Sequence, residues 1–99
     1  MLYYDSNTYN AIPENTDLNS LIEPCIYFST TYKVSQTFKN CPCGLMFKMI
    51  VEHAGSNKQF ILQRIIAENS KTPKQYYRIK TSENEWSNWF WNSMNAILE

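Results

Sequence analysis

Few residues in this chain have the type and spacing to do covalent chemistry. The single histidine, His53, stands beside Glu52. Nucleophilic catalysis needs a Ser or Cys, a base, and a group that orients the base. One histidine in a turn-forming stretch does not assemble them, and His53 reads as a solvated turn residue. The carboxylates Glu23, Glu52, Glu68, Glu83 and Glu85 are scattered, whereas a glycosidase sets two across a cleft. Glycine occurs only at 44 and 55, so no phosphate-cradling loop can be built. Cys25, Cys41 and Cys43 make an odd count. Cys41-Pro42-Cys43 is not a redox CxxC, and one His cannot complete a common zinc set. Free thiols in a reducing compartment are expected, with a disulfide from Cys25 to Cys41 or Cys43 as the alternative. The reading is therefore non-enzymatic, with no catalytic residue, no metal and no cofactor.

Binding chemistry is better represented. Arg64 falls on the strand face shared with Phe60 and Leu62, and an Arg there must find acceptors or an aromatic ring. The favoured reading lays it over Trp86 or Trp89 as a structural tie. The alternative presents it to a ligand or an adjoining subunit. Arg78 follows Tyr77 in the same manner. Trp86, Trp89 and Trp91 carry too much apolar area to be left in water. They read first as a plug on the core. The second reading is a sugar-stacking platform with Asn88, Asn84 and Glu85 for hydroxyls, and the third a protein interface.

The elements that must position these residues are mostly strands. Leu45 to Glu52 alternates Leu45, Phe47, Met49 and Val51 against Met46, Lys48, Ile50 and Glu52, the period of a half-buried strand. Gln59 to Ile66 is partly apolar on both faces and reads as central. Gln75 to Thr81 is a third strand. The connections 53–58, 69–74 and 82–85 are short and polar, which makes neighbouring strands antiparallel. Gly55 is free to take positive φ in the first turn. Cys25 to Ser29 is a fourth strand candidate, with Ile26 and Phe28 opposite Tyr27. Ahead of it, Asp17 caps a short helical turn whose Leu18, Leu21 and Ile22 share a face, and Pro24 stops it. Residues 29–43 read as a long surface loop anchored by Val34 and Phe38. Trp86 to Trp91 forms a short edge strand or hook.

The predicted fold is mainly β, with α+β as the variant. It is a small antiparallel sheet of four to five short strands, one N-terminal helical turn and a Trp-rich C-terminal hook. Residues 1–15 form a polar lead-in with little regular structure, 16–91 the domain, and 92–99 a short helix or tail. Ninety-nine residues suit one domain with a thin core. Nine basic and nine acidic residues cancel, which removes the footprint of a nucleic-acid binder. No basic amphipathic helix, signal peptide or membrane-length apolar run is present.

Six short motifs, in order, resemble the knob domain of phage tail fibres and R-type pyocin fibres. They are Asp17-Leu18-Asn19, Pro24-Cys25-Ile26-Tyr27, and Cys41-Pro42-Cys43-Gly44 before the apolar strand. Leu62-Gln63-Arg64, Tyr76-Tyr77-Arg78 and Trp86-Ser87-Asn88-Trp89 follow. Cys25 and Cys43 depart from the family's preference for glycine. The resemblance implies structural roles for Asp17, Leu18, Tyr27, Gly44, Gln63 and Tyr77. It implies a non-enzymatic attachment module in a virion tail or tail-like particle, assembled in a bacterial host's cytoplasm. The expected partners are two further copies in a homotrimer, or other fibre subunits, and a host-surface glycan. Neither nucleic acid nor membrane insertion is expected. The competing functions are a stand-alone carbohydrate-binding module using exposed aromatics and, from the short aromatic strands, an oligonucleotide-binding barrel. Neutral charge opposes the last.

Overall fold

In the computed structural model, which describes residues 9–55, 60–67, 74–81 and 85–93, the alternating stretch after Gly44 becomes a central strand. The elements are β1 (Tyr9–Ala11), a 3-10 turn (Leu18–Ser20), β2 (Ile26–Phe28), α1 (Tyr32–Ser35), β3 (Phe47–Ala54), β4 (Phe60–Ala67), β5 (Lys74–Lys80) and β6 (Phe90–Ser93). All six strands join one sheet in chain order, β1-β2-β3-β4-β5-β6. The mainly β reading holds. The sheet is mixed, however, because β1 runs parallel to β2 while every other pair is antiparallel.

Strand parity divides the sheet into two faces. Phe47, Met49 and Val51 of β3 and Ile65 of β4 are 0–1% exposed and form the core on the inner face. Burying each side chain of this kind contributes about 1.5–3 kcal/mol. Ile12 and Leu18, from segments that cross this face, complete the cluster. On the outer face lie Phe28, Ile50, Leu62, Arg64, Ile66 and Tyr77, each half-buried, with Ile79 and Phe90 exposed.

The sequence predicts little regular structure before residue 17, and the structure differs there. Tyr9 pairs with Ile26 and Ala11 with Phe28, and Ile12 is 1% exposed in the core. Three strand residues in a run of Asn, Thr and Ser carry no readable period, and their partner lies far along the chain. The loop expected over 29–43 contains α1, one turn capped by Thr31, whose hydroxyl accepts from the Val34 amide at 3.1 Å. A single turn is too short for periodicity to reveal. His53 is not a turn residue. It is half-buried on β3, and its Nε2–H donates to the Ile22 carbonyl at 2.8 Å. Gly55 adopts φ of 89°, as its turn requires. The expected readings of residues 1–8, of the turns over 56–59, 68–73 and 82–84, and of a helix or tail over 94–99 lie outside the described residues.

Candidate functional site

The polar residues of the inner face converge on one guanidinium. Gln63 and Arg78 are direct cross-strand partners in the β4–β5 register, so both point into the core side. Arg78 is 4% exposed and Gln63 is fully buried. A buried cation is costly unless every direction around it is matched. Here Arg78 Nε donates to Gln63 Oε1 at 2.8 Å. Its carbon Cζ lies 4.0 Å from the Trp86 ring centre and 4.4 Å from that of Trp89. The two indoles sandwich the guanidinium plane, the geometry in which a weakly hydrated cation gains most from a ring. Burial lowers the Arg78 pKa to about 10, which leaves it charged at neutral pH.

The clamp continues into the N-terminal turn. Gln63 Nε2 donates to the carbonyls of Leu18 at 2.7 Å and Leu21 at 2.9 Å, and the Leu18 carbonyl also accepts the Leu21 amide that closes the 3-10 turn at 3.2 Å. Asp17 caps that turn as predicted, with Oδ1 accepting from the Asn19 amide at 2.9 Å. The same oxygen accepts from Asn40 Nδ2 at 2.8 Å. Asn40, in the left-handed conformation at φ of 57°, turns its carbonyl to Trp89, whose Nε1–H donates at 3.0 Å. The circuit therefore closes: Trp89, Asn40, Asp17, the turn, Gln63, Arg78 and back to Trp89. Hydrogen bonds from Asn40 and Asn19 hold the Asp17 carboxyl below its ordinary range, and the Arg78 charge assists.

The hook is built along β5. Ser87 N donates to the Ile79 carbonyl at 2.8 Å, Thr81 N to Glu85 O at 3.2 Å, and the Ile79 amide to Ser87 Oγ at 3.1 Å. These bonds fix Trp86 opposite Lys80. Continuing antiparallel to β5, the chain then brings Trp89 over Arg78 before β6 pairs with β5.

The tie expected between Arg64 and the tryptophans is made by Arg78 instead. Arg64 lies on the outer face, 3.3 Å from Glu52 Oε1, with 38% of its side chain exposed. Both faces of β4 are partly apolar, so pattern could not tell which was inner. The tryptophans are also not one cluster. Trp86 and Trp89 form the sandwich, while Trp91 sits on β6, 58% exposed, with Lys74 Nζ 4.7 Å over its ring. Asn88 is exposed in the hook. Tyr77 is on the outer face, its ring 6.0 Å from that of Phe90 and stacked. Tyr27 packs on the core. The Gly44 carbonyl accepts from Gln36 Nε2 at 2.6 Å, and a Cβ at Gly44 would meet that nitrogen at 2.7 Å. Asn40 and Asp17 were missed as partners of the hook. An Asn that adopts positive φ after a polar run was the available signal. Among the described residues, no three His, Cys, Asp or Glu side chains gather where a metal could be held. None of the described helices is long and apolar enough to cross a membrane.

A chain-ordered mixed sheet with an N-terminal turn and a Trp hook locked to one face is a pyocin-fibre-like fold. The same fold occurs in an R2-type pyocin tail fibre, with TM-score 0.75 and 19% identity, over 95% of this chain and 35% of that one. An R1 pyocin fibre from P. aeruginosa gives TM-score 0.76 and 22% identity, over 91% of this chain and 22% of that one. A P. aeruginosa R2 pyocin fibre gives TM-score 0.75 and 19% identity, over 95% and 24%. This chain thus spans about a fifth to a third of the fibre fragments it matches. No protein-family model matches the sequence, and no curated protein does. At this identity the likeness establishes the fold.

Proposed function

We propose that this chain is a non-enzymatic structural and attachment module of a phage tail fibre or related tail-like particle. It contributes to host-cell recognition and associates as a homotrimer or with other fibre subunits. The observation that carries the reading is the shared fold with pyocin fibre domains over more than nine-tenths of the chain. The outer face supports the association. Ile79 is 38% exposed and Phe90 52%, beside half-buried Leu62, Ile66 and Tyr77. Arg64 stands among them, and its Nε makes no hydrogen bond. An apolar face with a partly exposed ion pair, Arg64 with Glu52, at its centre is suited to a second subunit. The inner-face latch gives the module its rigidity. The particle places the chain in a tail, assembled inside a bacterial host.

Sedimentation equilibrium across a wide concentration range tests the oligomer. Self-association to three copies, weakened by Ile79→Glu together with Phe90→Glu, is the expected result. A chain that stays monomeric at the highest concentration, with the native circular dichroism spectrum, overturns the trimer.

A second reading, a carbohydrate-binding module using exposed aromatics, rests on Trp91, the most exposed large apolar residue of the described chain. One face of its ring is taken by Lys74, which leaves the other for a pyranose. A glycan array with the native chain and with Trp91→Ala tests it. Binding lost in the variant supports this reading, and no binding by the native chain removes it.

A further inference from the structure

β6 ends the sheet among the described residues, and its free edge is unguarded. Sheet edges are ordinarily blunted by charge, proline or a bulge, because a row of unpaired N–H and C=O groups invites another strand. Phe90-Trp91-Asn92-Ser93 contains no charged residue and no proline, and its register with β5 runs without a bulge. Phe90, Trp91 and Asn92 are exposed. β1, at the other end of the sheet, is better occupied. Asn10 Nδ2 donates to the Ile26 carbonyl at 3.1 Å. Tyr9 lies edge-on to Phe28, with Lys48 Nζ 5.8 Å from its ring centre, and Pro13 follows without an N–H.

β5 fixes how the main chain of β6 points. The Ser87 amide donates to the Ile79 carbonyl at 2.8 Å and the Ile79 amide to Ser87 Oγ at 3.1 Å, so the main chain of Ile79 faces the hook. Every second residue of a strand turns its main-chain groups the same way. Tyr77 and Gln75 therefore face β6 and bond their register partners, Phe90 and Asn92. Trp91 and Ser93 turn their N–H and C=O groups to the free edge. The far side of the sheet agrees. The Val51 amide donates to the Cys25 carbonyl at 3.0 Å, and alternation carried through the β3–β4 and β4–β5 registers gives Tyr77 the same side.

We propose that β6 is a docking edge for a second copy of this chain, whose own β6 pairs with it antiparallel about a two-fold axis through Asn92. In that register Trp91 of each copy exchanges both N–H···O bonds with Ser93 of the other. All main-chain groups on the free edge are satisfied, and the two sheets become one. An axis placed on Trp91 or on Ser93 pairs that residue with itself and leaves the other without a β6 partner. A slip by one residue sets inner face against outer. The side chains suit the same register. The two Asn92 side chains stand directly opposite on the outer face, where non-hydrogen-bonded pairing brings Cα atoms to about 4.5 Å. A carboxamide carries both donor and acceptor, so it is complementary to its own copy. Gln75, the cross-strand neighbour of Asn92, extends the amide row. On the inner face Trp91, 58% exposed, gains the second copy's strand along its free flank. No charge on β6 opposes a copy of itself, and none is there for an acidic or basic peptide to recognise. The contact uses an edge rather than the apolar outer face, and it requires no fibre.

The experiment is sedimentation equilibrium to millimolar concentration on chains carrying Ile79→Glu. That substitution, at a 38%-exposed position, blocks the apolar outer face and makes the outcome independent of the trimer. A reversible dimer with the native circular dichroism spectrum is expected. Ser93→Pro, added to this chain, removes an edge-facing N–H without touching the bonds to β5. It is expected to weaken the dimer by about tenfold or more. Asn92→Asp and Asn92→Lys each set like charges opposite one another and are expected to lose the dimer alone, while an equal mixture of the two recovers it. The proposal is overturned if the Ile79→Glu chain stays monomeric at millimolar concentration, if Ser93→Pro dimerises as tightly as its parent, or if the mixture associates no better than either Asn92 variant alone.

Discussion

Arg64 and Arg78 occupy adjacent strands of one sheet, and their surroundings could hardly differ more. Arg78 is enclosed: two indoles and Gln63 lie against it, and only 4% of it is exposed. Arg64 is open: one carboxylate at 3.3 Å, both partners well exposed to water. The same functional group is a structural keystone on one face and half of a solvent-exposed ion pair on the other. What separates them is parity. Gln63, one residue before Arg64, faces inward and meets Arg78 across the ladder, and solvent access follows from that alternation. Enclosure makes every bond of Arg78 costly to lose, because its partners would be left buried and unpaired. Exposure makes the Arg64–Glu52 pair cheap to lose, since water replaces either ion.

Mutation of each side in turn would sharpen or break this contrast. Arg78→Ala should destabilise most, by about 4 kcal/mol, because it empties the indole sandwich and strands Gln63 Oε1. Gln63→Leu should cost somewhat less, about 3 kcal/mol. It keeps the volume but leaves the Arg78 Nε without its acceptor and removes the side-chain donor from the Leu18 and Leu21 carbonyls. Urea titration of both variants against the native chain measures these losses. Trp89→Phe retains a ring over the guanidinium and removes only the indole donor to Asn40, for about 1 kcal/mol. Arg64→Ala should shift the folded monomer's stability by no more than about 0.5 kcal/mol. If Arg64→Ala proves as damaging as Arg78→Ala in the monomer, enclosure is not what distinguishes them.

Acid probes the same circuit without mutation. The Asp17 carboxyl titrates below its unfolded value of 3.8 in the native chain. The unfolded chain therefore binds the proton more readily, and the stability this provides is fully present above that pH. It is lost as pH falls through the lower native value. Urea midpoints measured from pH 6 down to pH 2 should fall at the acid end, and Asp17→Asn should flatten that part of the profile.

Much of the central sheet is legible in the sequence because its cause is local. Phe47, Met49 and Val51 alternate, and the alternation alone names the inner face. Asp17 announces a capped turn for the same reason. The latch is less legible. Its bonds join Leu18 to Gln63 and Asn40 to Trp89, and no short window contains both ends. β4 has apolar residues on both faces, so Arg64 could not be distinguished from an inner-face residue until its register with β5 was known. β1 was invisible because Tyr9, Asn10 and Ala11 acquire strand geometry only from a partner, Ile26 to Phe28.

The chain-ordered sheet has a consequence for biosynthesis. A nascent chain leaving the ribosome can pair each antiparallel strand with its predecessor as it emerges, and such nearest-neighbour pairing is kinetically easy. The lock is not available on that schedule. Trp89 closes the circuit through Asn40, 49 positions earlier, so the circuit stays open until the hook has been made. Until then Arg78 and Gln63 lack their lid, and the inner face is open to competing contacts. A truncation that stops before residue 86 should retain sheet signal in the far ultraviolet yet be cleaved rapidly by protease around residues 17–21. The hook would thus act as a late seal on the domain, closing the circuit only after the five preceding strands have been made.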